Sequence, residues 1–145
     1  MRKISLLVIA VLMGTIGIAQ DLQVIAPPTA PRPIGPYSHA LMKGGMLFVS
    51  GQIAIDPRTG KADTATIENE INRVMLNIGA ILKEAGLEWS NVIKATIYTT
   101  DLKHFDAINQ VYSTYLKMPY PARETVQVAA LPKKMHVEIS VTAMK

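Results

Sequence analysis

The chain has 145 residues, 49% of them hydrophobic, with 15 basic and 11 acidic side chains and no cysteine. Without thiols it has no disulfide framework, no thiol nucleophile and no thiolate metal site. The net charge of +4 comes from scattered residues, and no basic run marks a nucleic-acid groove.

Arg2 and Lys3 open the chain, residues 4–18 carry no charge, and Gly17-Ile18-Ala19 sets small residues three and one positions before Gln20. A basic start, an apolar run and a small-x-small site read as a secretory signal over residues 1–19. The alternative is a retained anchor, but a comfortable bilayer span needs ~20 apolar residues. No Cys follows the small residues to take a lipid. Cleavage after Ala19 leaves 145 − 19 = 126 residues with a charge of 13 − 11 = +2. That length suits one domain, residues 20–145, with a core of its own. The signal implies a periplasmic or secreted protein with no membrane attachment after cleavage.

Five prolines between residues 26 and 36 give an extended lead-in that discourages helix. Residues 37–42 and 46–49 flank Gly44-Gly45 and read as a hairpin. Asp56-Pro57-Arg58-Thr59-Gly60 is a second turn. Over residues 64–85, Ile67, Ile71, Val74, Met75, Ile78, Ile81 and Leu82 recur at steps of three and four. The spacing predicts an amphipathic helix, with Thr64 as N-cap and Gly86 as the stop. Gly79 inside it costs about 1 kcal/mol against Ala, which a close packing contact would explain.

Residues 92–99 alternate, with Val92, Lys94, Thr96 and Tyr98 on one face and Ile93, Ala95 and Ile97 on the other. This predicts a half-buried strand. After Asp101, Phe105, Ile108, Val111, Tyr112 and Tyr115 stripe a second helix over residues 103–116, which Pro119 and Pro121 end. Residues 125–129 and 137–143 read as two more strands. The order strand, strand, helix, strand, helix, strand, strand predicts an α+β sandwich, one sheet covered on one face by two helices.

His39, His104 and His136 show no metal-ligand spacing on a helix face. No phosphate loop or serine nucleophile elbow is present. Arg123, in Tyr120-Pro121-Ala122-Arg123, enters an apolar strand and carries a fork suited to a carboxylate. Glu138 lies in the neighbouring predicted strand between Val137 and Ile139. From these residues alone, each is either an ordinary surface charge, paired with the other, or part of a site.

The segments Ile34-Gly35-Pro36-Tyr37-Ser38, Phe48-Val49-Ser50-Gly51-Gln52-Ile53, Thr59-Gly60, Val92-Ile93-Lys94-Ala95-Thr96, Pro121-Ala122-Arg123, Leu131-Pro132 and Val137-Glu138-Ile139 resemble the signatures of the reactive intermediate deaminase family (RidA, also called YjgF). Asn77, Leu82, Ala85-Gly86, Phe105, Asn109 and Tyr112 match its helices. The resemblance implies a chorismate-mutase-like fold, a homotrimer with clefts between subunits, and no cofactor or metal. The implied reaction is hydrolysis of enamine and imine intermediates of the 2-aminoacrylate/2-iminopropanoate type to 2-keto acids and ammonia. It makes Arg123 the carboxylate anchor and has Glu138 and Tyr37 orient or activate water. Asn109, Ser50 and Gly51 would line the cleft, and Thr125 would narrow or polarise it.

Three positions depart from the family pattern: Glu124 and Thr125 after the arginine, and Ser140 after the glutamate. Strand alternation turns Glu124 away if Arg123 faces the cleft. If it does not, Glu124 competes for Arg123. The competing reading is a non-catalytic exported module that binds small carboxylates or a protein on the same fold. A nuclease activity attached to parts of the family finds no aromatic-basic surface here.

Overall fold

The computed structural model describes residues 21–145. The signal read over residues 1–19 lies outside them. Six strands form one mixed sheet: β1 (Gln23–Ile25), β2 (Ala40–Lys43), β3 (Met46–Gln52), β4 (Val92–Thr99), β5 (Ala122–Gln127) and β6 (Val137–Met144). Their order across the sheet is β1-β2-β3-β6-β4-β5. All neighbours are antiparallel except β4 and β5, which are parallel. Helices α1 (Ile67–Glu84) and α2 (Phe105–Tyr115) pack against each other, and α1 lies on β3 and β6. The α+β architecture matches the sequence expectation.

The core lies between the helices and one face of the sheet. Leu47, Val49, Ala95, Ile97, Val137, Ile139 and Val141 meet Ile71, Val74, Met75, Ile78, Ile81 and Leu82 of α1, and Ile108 of α2. The other face carries Lys94, Thr96, Tyr98, Glu138, Ser140 and Thr142, with exposed Phe48 and Met144. No helix among the described residues is long and apolar enough to cross a membrane.

Several local expectations shift, each for a stated reason. The N-cap of α1 is Thr66 rather than Thr64, because the Thr66 hydroxyl accepts the Asn69 N–H at 3.2 Å. Gly86 does stop the helix, at φ +70°. Gly79 faces the Trp89 indole, where a Cβ would make only ordinary contact at 3.5 Å, so tight packing does not require it. β1 escaped the sequence reading because its three residues abut the proline-rich lead-in.

In β4 the register slips between Val92 and Lys94. This bulge turns Val92 into the core and leaves Ile93 exposed, reversing both from strict alternation. β5 starts at Ala122, not Thr125, because parallel pairing with β4 begins at Lys94 opposite Ala122. Arg123 is therefore inside a strand.

Two polar residues sit in the buried stripe of α1. Glu70 is almost wholly buried and accepts the backbone N–H groups of His136 at 2.6 Å and Val137 at 2.9 Å, with His136 Nδ1 at 2.9 Å. Asn77 donates to the carbonyls of Ile53 at 3.1 Å and Ile55 at 3.0 Å. One residue pins the start of β6 and the other the exit of β3, as buried polar groups must be paired.

Candidate functional site

The sequence-nominated residues separate into two groups. Arg123 lies opposite Ala95 in the β4–β5 register, so it points to the helix-covered side. Glu138 lies opposite Tyr98 in the β4–β6 register and points to the other side. Arg123 and Glu138 therefore do not pair, which removes the reading of them as a mutual ion pair.

The first group is a cleft of about 310 Å³ lined by Asn109, Tyr112, Ser113, Tyr120, Pro121 and Arg123. Phe105, Asn109 and Tyr112 follow one another at i, i+4 and i+7, so α2 presents them on one side. The Arg123 Cζ lies over the Tyr112 ring, 5.2 Å from its centroid, and over the Phe105 ring at 5.6 Å. Among the described residues no side-chain carboxylate or carbonyl accepts from the Arg123 guanidinium.

A single 3-10 turn, Leu102–His104, leads into α2 and is capped by Asp101, whose carboxylate accepts the Lys103 N–H at 2.9 Å. Gln127 at the end of β5 also helps, accepting the Leu102 N–H at 3.0 Å. Tyr112 is buried and its hydroxyl has no partner among the described residues. Desolvation pushes its phenol above the usual tyrosine range, with the Arg123 charge pulling the other way. Thr125, opposite Ile97, shares Arg123's side of the sheet, and its buried hydroxyl also lacks a partner among the described residues. It does not line the cleft of a single chain. Glu124 turns away and pairs with Lys94 Nζ at 3.0 Å, so it does not compete for Arg123.

The second group is a cleft of about 230 Å³ whose walls include Tyr37, Ser50, Gly51, Pro132 and Glu138. The Glu138 carboxylate lies directly over Gly51, where a Cβ would fall 2.7 Å from Cδ. Partial burial raises the Glu138 pKa above the usual carboxylate range. The Ser50 hydroxyl donates to the Ser38 carbonyl at 2.8 Å, and the Ser50 N–H to the His39 carbonyl at 2.9 Å. Ser50 thus ties β3 to the segment that carries Tyr37. The Tyr37 hydroxyl accepts the Ile34 N–H at 3.2 Å, which leaves its own proton free to donate. His39, buried behind this segment, has its pKa lowered by desolvation.

Together the two groups present a guanidinium without a side-chain acceptor among the described residues, a part-buried carboxyl and a phenol that can donate. Among the described residues no cluster of three or more His, Asp or Glu side chains could hold a metal. A larger cleft, about 660 Å³, lies by the C-terminal ends of the two helices and contains none of the nominated residues. Sequence reasoning missed Phe105 and Tyr112 as part of the site. Their helical period marked them as core, and only the register of Arg123 brings them under a guanidinium.

The family model described as Endoribonuclease L-PSP matches residues 27–145. A RutC family protein of Pyrococcus abyssi is 46% identical over 123 residues, covering 85% of this chain and 97% of that one. Human 2-iminobutanoate/2-iminopropanoate deaminase is 39% identical over 123 residues, covering 85% and 90%. The crystal structure of E. coli TdcF with bound serine matches with a TM-score of 0.81 at 38% identity, covering 85% of this chain and 98% of that chain. By the fold, the order of motifs and these matches, the chain belongs to the RidA/YjgF/L-PSP family.

Proposed function

We propose that this chain hydrolyses small 2-imino and 2-enamino acids, of the 2-iminopropanoate/2-aminoacrylate type, to 2-keto acids and ammonia. The observation that carries the reading is the half-buried Arg123 guanidinium held over two rings with its fork unspent. Such a fork calls for an anion, and a carboxylate fits it bidentately. A human relative named for this deamination and a relative with bound serine, itself an amino acid with a carboxylate, point the same way.

The chemistry needs little. An imine carbon is already electrophilic, so one water suffices as nucleophile. As the water adds to the imine carbon, Glu138 accepts one of its protons and passes it to the imine nitrogen, which gives a carbinolamine. Glu138 then takes the carbinolamine hydroxyl proton and delivers it to the amine as the C–N bond breaks, the carbonyl forms and ammonia leaves. A carboxyl with a raised pKa suits both halves of that transfer. The Tyr37 proton orients the water or the adduct. Arg123 and Asn109 hold the substrate in position.

The two groups face opposite sides of one sheet, so a complete site needs the Arg123 cleft of one subunit beside the Glu138 cleft of another. A homotrimer supplies that arrangement, and exposed Phe48, Ile93, Val126 and Met144 offer apolar surface for assembly. The secretory signal read over residues 1–19 supports a reaction in the periplasm or outside the cell.

The test uses imine generated in situ by an amino-acid oxidase and follows its loss above the spontaneous rate. Wild type accelerates it, and Arg123→Ala loses on the order of 2–5 kcal/mol of substrate binding. Equal acceleration by wild type and Arg123→Ala overturns the reading. Mixing unfolded Arg123→Ala and Glu138→Gln subunits and refolding them together should restore about a quarter of the sites. No recovery removes the shared site. Glu124, which together with the export signal favours a binding-only module if it competes for Arg123, pairs with Lys94 instead.

A further inference from the structure

We propose that Phe105 and Tyr112 are positioning residues for Arg123: an aromatic bracket that holds the guanidinium without consuming any of its donors. The inference rests on the deaminase reading for its binding and kinetic arms, and not for its relaxation arm.

A half-buried cation needs stabilisation before substrate arrives. The common solution is a neighbouring carboxylate, but that partner would occupy the fork and exclude the substrate's own carboxylate. The described residues place no such acceptor on Arg123. They place two ring faces there, at 5.2 and 5.6 Å from Cζ. A ring face attracts the cation through its quadrupole and accepts no N–H in the guanidinium plane. Guanidinium is planar and weakly hydrated, which suits it to this packing and leaves its edge open. The bracket thus separates two tasks, holding the charge and keeping its hydrogen bonds free.

The geometry is specified by both elements involved. Phe105 and Tyr112 are seven residues apart on α2, hence on one side of it. The 3-10 turn that leads directly into α2, Leu102–His104, is tied to β5 through Gln127 and the Leu102 N–H. Arg123 and Gln127 lie on the same strand, so the strand that carries the guanidinium also sets the position of the rings beneath it. Phe105 is 40% exposed and is not among the residues of the buried core.

The test measures pyruvate binding to the full chain by calorimetry, and the dynamics of the Arg123 Nε–H by 15N relaxation. Phe105→Leu should raise the pyruvate Kd two- to fivefold, the worth of a partly exposed cation–ring contact. Tyr112→Leu should do the same where it folds. Phe105→Tyr should recover the affinity, because it returns a ring face. With imine substrate, Phe105→Leu should raise KM more than it lowers kcat. The Arg123 Nε–H should become more mobile in Phe105→Leu and rigid again in Phe105→Tyr.

Equal Kd values for Phe105→Leu and wild type, or for Phe105→Leu and Phe105→Tyr, overturn the bracket. A wild type that binds no pyruvate overturns the deaminase reading instead. In that case the relaxation measurement still decides the bracket, and an Arg123 equally rigid in Phe105→Leu refutes it.

Discussion

Gly51→Ala isolates the placement of Glu138 from the stability of the fold. A Cβ at position 51 would fall 2.7 Å from Glu138 Cδ and 3.0 Å from Cγ. Carbon pairs rest at about 3.5–4.0 Å, so the carboxyl must withdraw by roughly 1 Å. A displacement of that size in a reacting group costs about 100-fold. The expected result is therefore a fall of about two orders of magnitude in kcat/KM for 2-iminopropanoate. Stability should barely change. Gly51 has no positive φ, so alanine meets no backbone strain there. Its smaller unfolded-state entropy is worth about 0.4–1 kcal/mol in favour of folding, which offsets the displaced side chain. The assay pairs imine-loss kinetics with thermal melting and light scattering. Near-native kcat/KM in Gly51→Ala refutes a catalytic role for Glu138 at that position. A large fall in melting temperature would assign the loss to folding and refute the reasoning about strain.

Four further outcomes follow from the same structure. Thr125→Val removes a buried hydroxyl without a partner among the described residues and should stabilise the fold by up to about 1 kcal/mol in denaturant titration. If the hydroxyl instead serves the substrate, KM rises. His39 has a lowered pKa, so the folded state binds fewer protons than the unfolded one. Its contribution is present above pH 6.5 and lost as pH falls through that value, and His39→Gln should flatten the acid limb of a stability–pH profile. Glu138 is the opposite case: its raised pKa makes stability fall as pH rises above the usual carboxylate range. Glu138→Gln should therefore melt higher than wild type at pH 7 while losing activity. Glu70→Ala strands the N–H groups of His136 and Val137 and should cost about 3 kcal/mol, with Glu70→Gln recovering part of it.

The helices and the alternating strands were legible because each buries one face, and burial imposes a period. What escaped was set by contacts distant in sequence. The start of β5 depends on pairing with β4, which no local propensity around Arg123 reveals. Ile93 faces outward only because β6 imposes a bulge opposite it. Glu70 and Asn77 fall where the helical stripe runs, yet nothing nearby in sequence announces that one will hold β6 and the other the β3 exit. Among the site residues, Arg123, Glu138, Tyr37, Asn109, Ser50 and Gly51 were nameable from their motifs. That Arg123 and Glu138 turn to opposite sides follows from strand register, which the motifs do not encode. Phe105 and Tyr112 were seen but given to the core, since an aromatic stripe looks the same whether it covers leucines or a guanidinium.

The opposed orientation of Arg123 and Glu138 also bears on how rate depends on protein concentration. An enzyme with its whole pocket in one chain keeps a constant rate per mole on dilution. With the anchor on one side of the sheet and the acid on the other, a lone subunit can neither hold a substrate against Glu138 nor supply a proton to one held by Arg123. On the shared-site reading, turnover per mole falls as the protein is diluted past its assembly constant, and the strength of the subunit contact sets the lowest concentration at which the reaction runs. Catalysis would then begin only where enough subunits gather to meet one another.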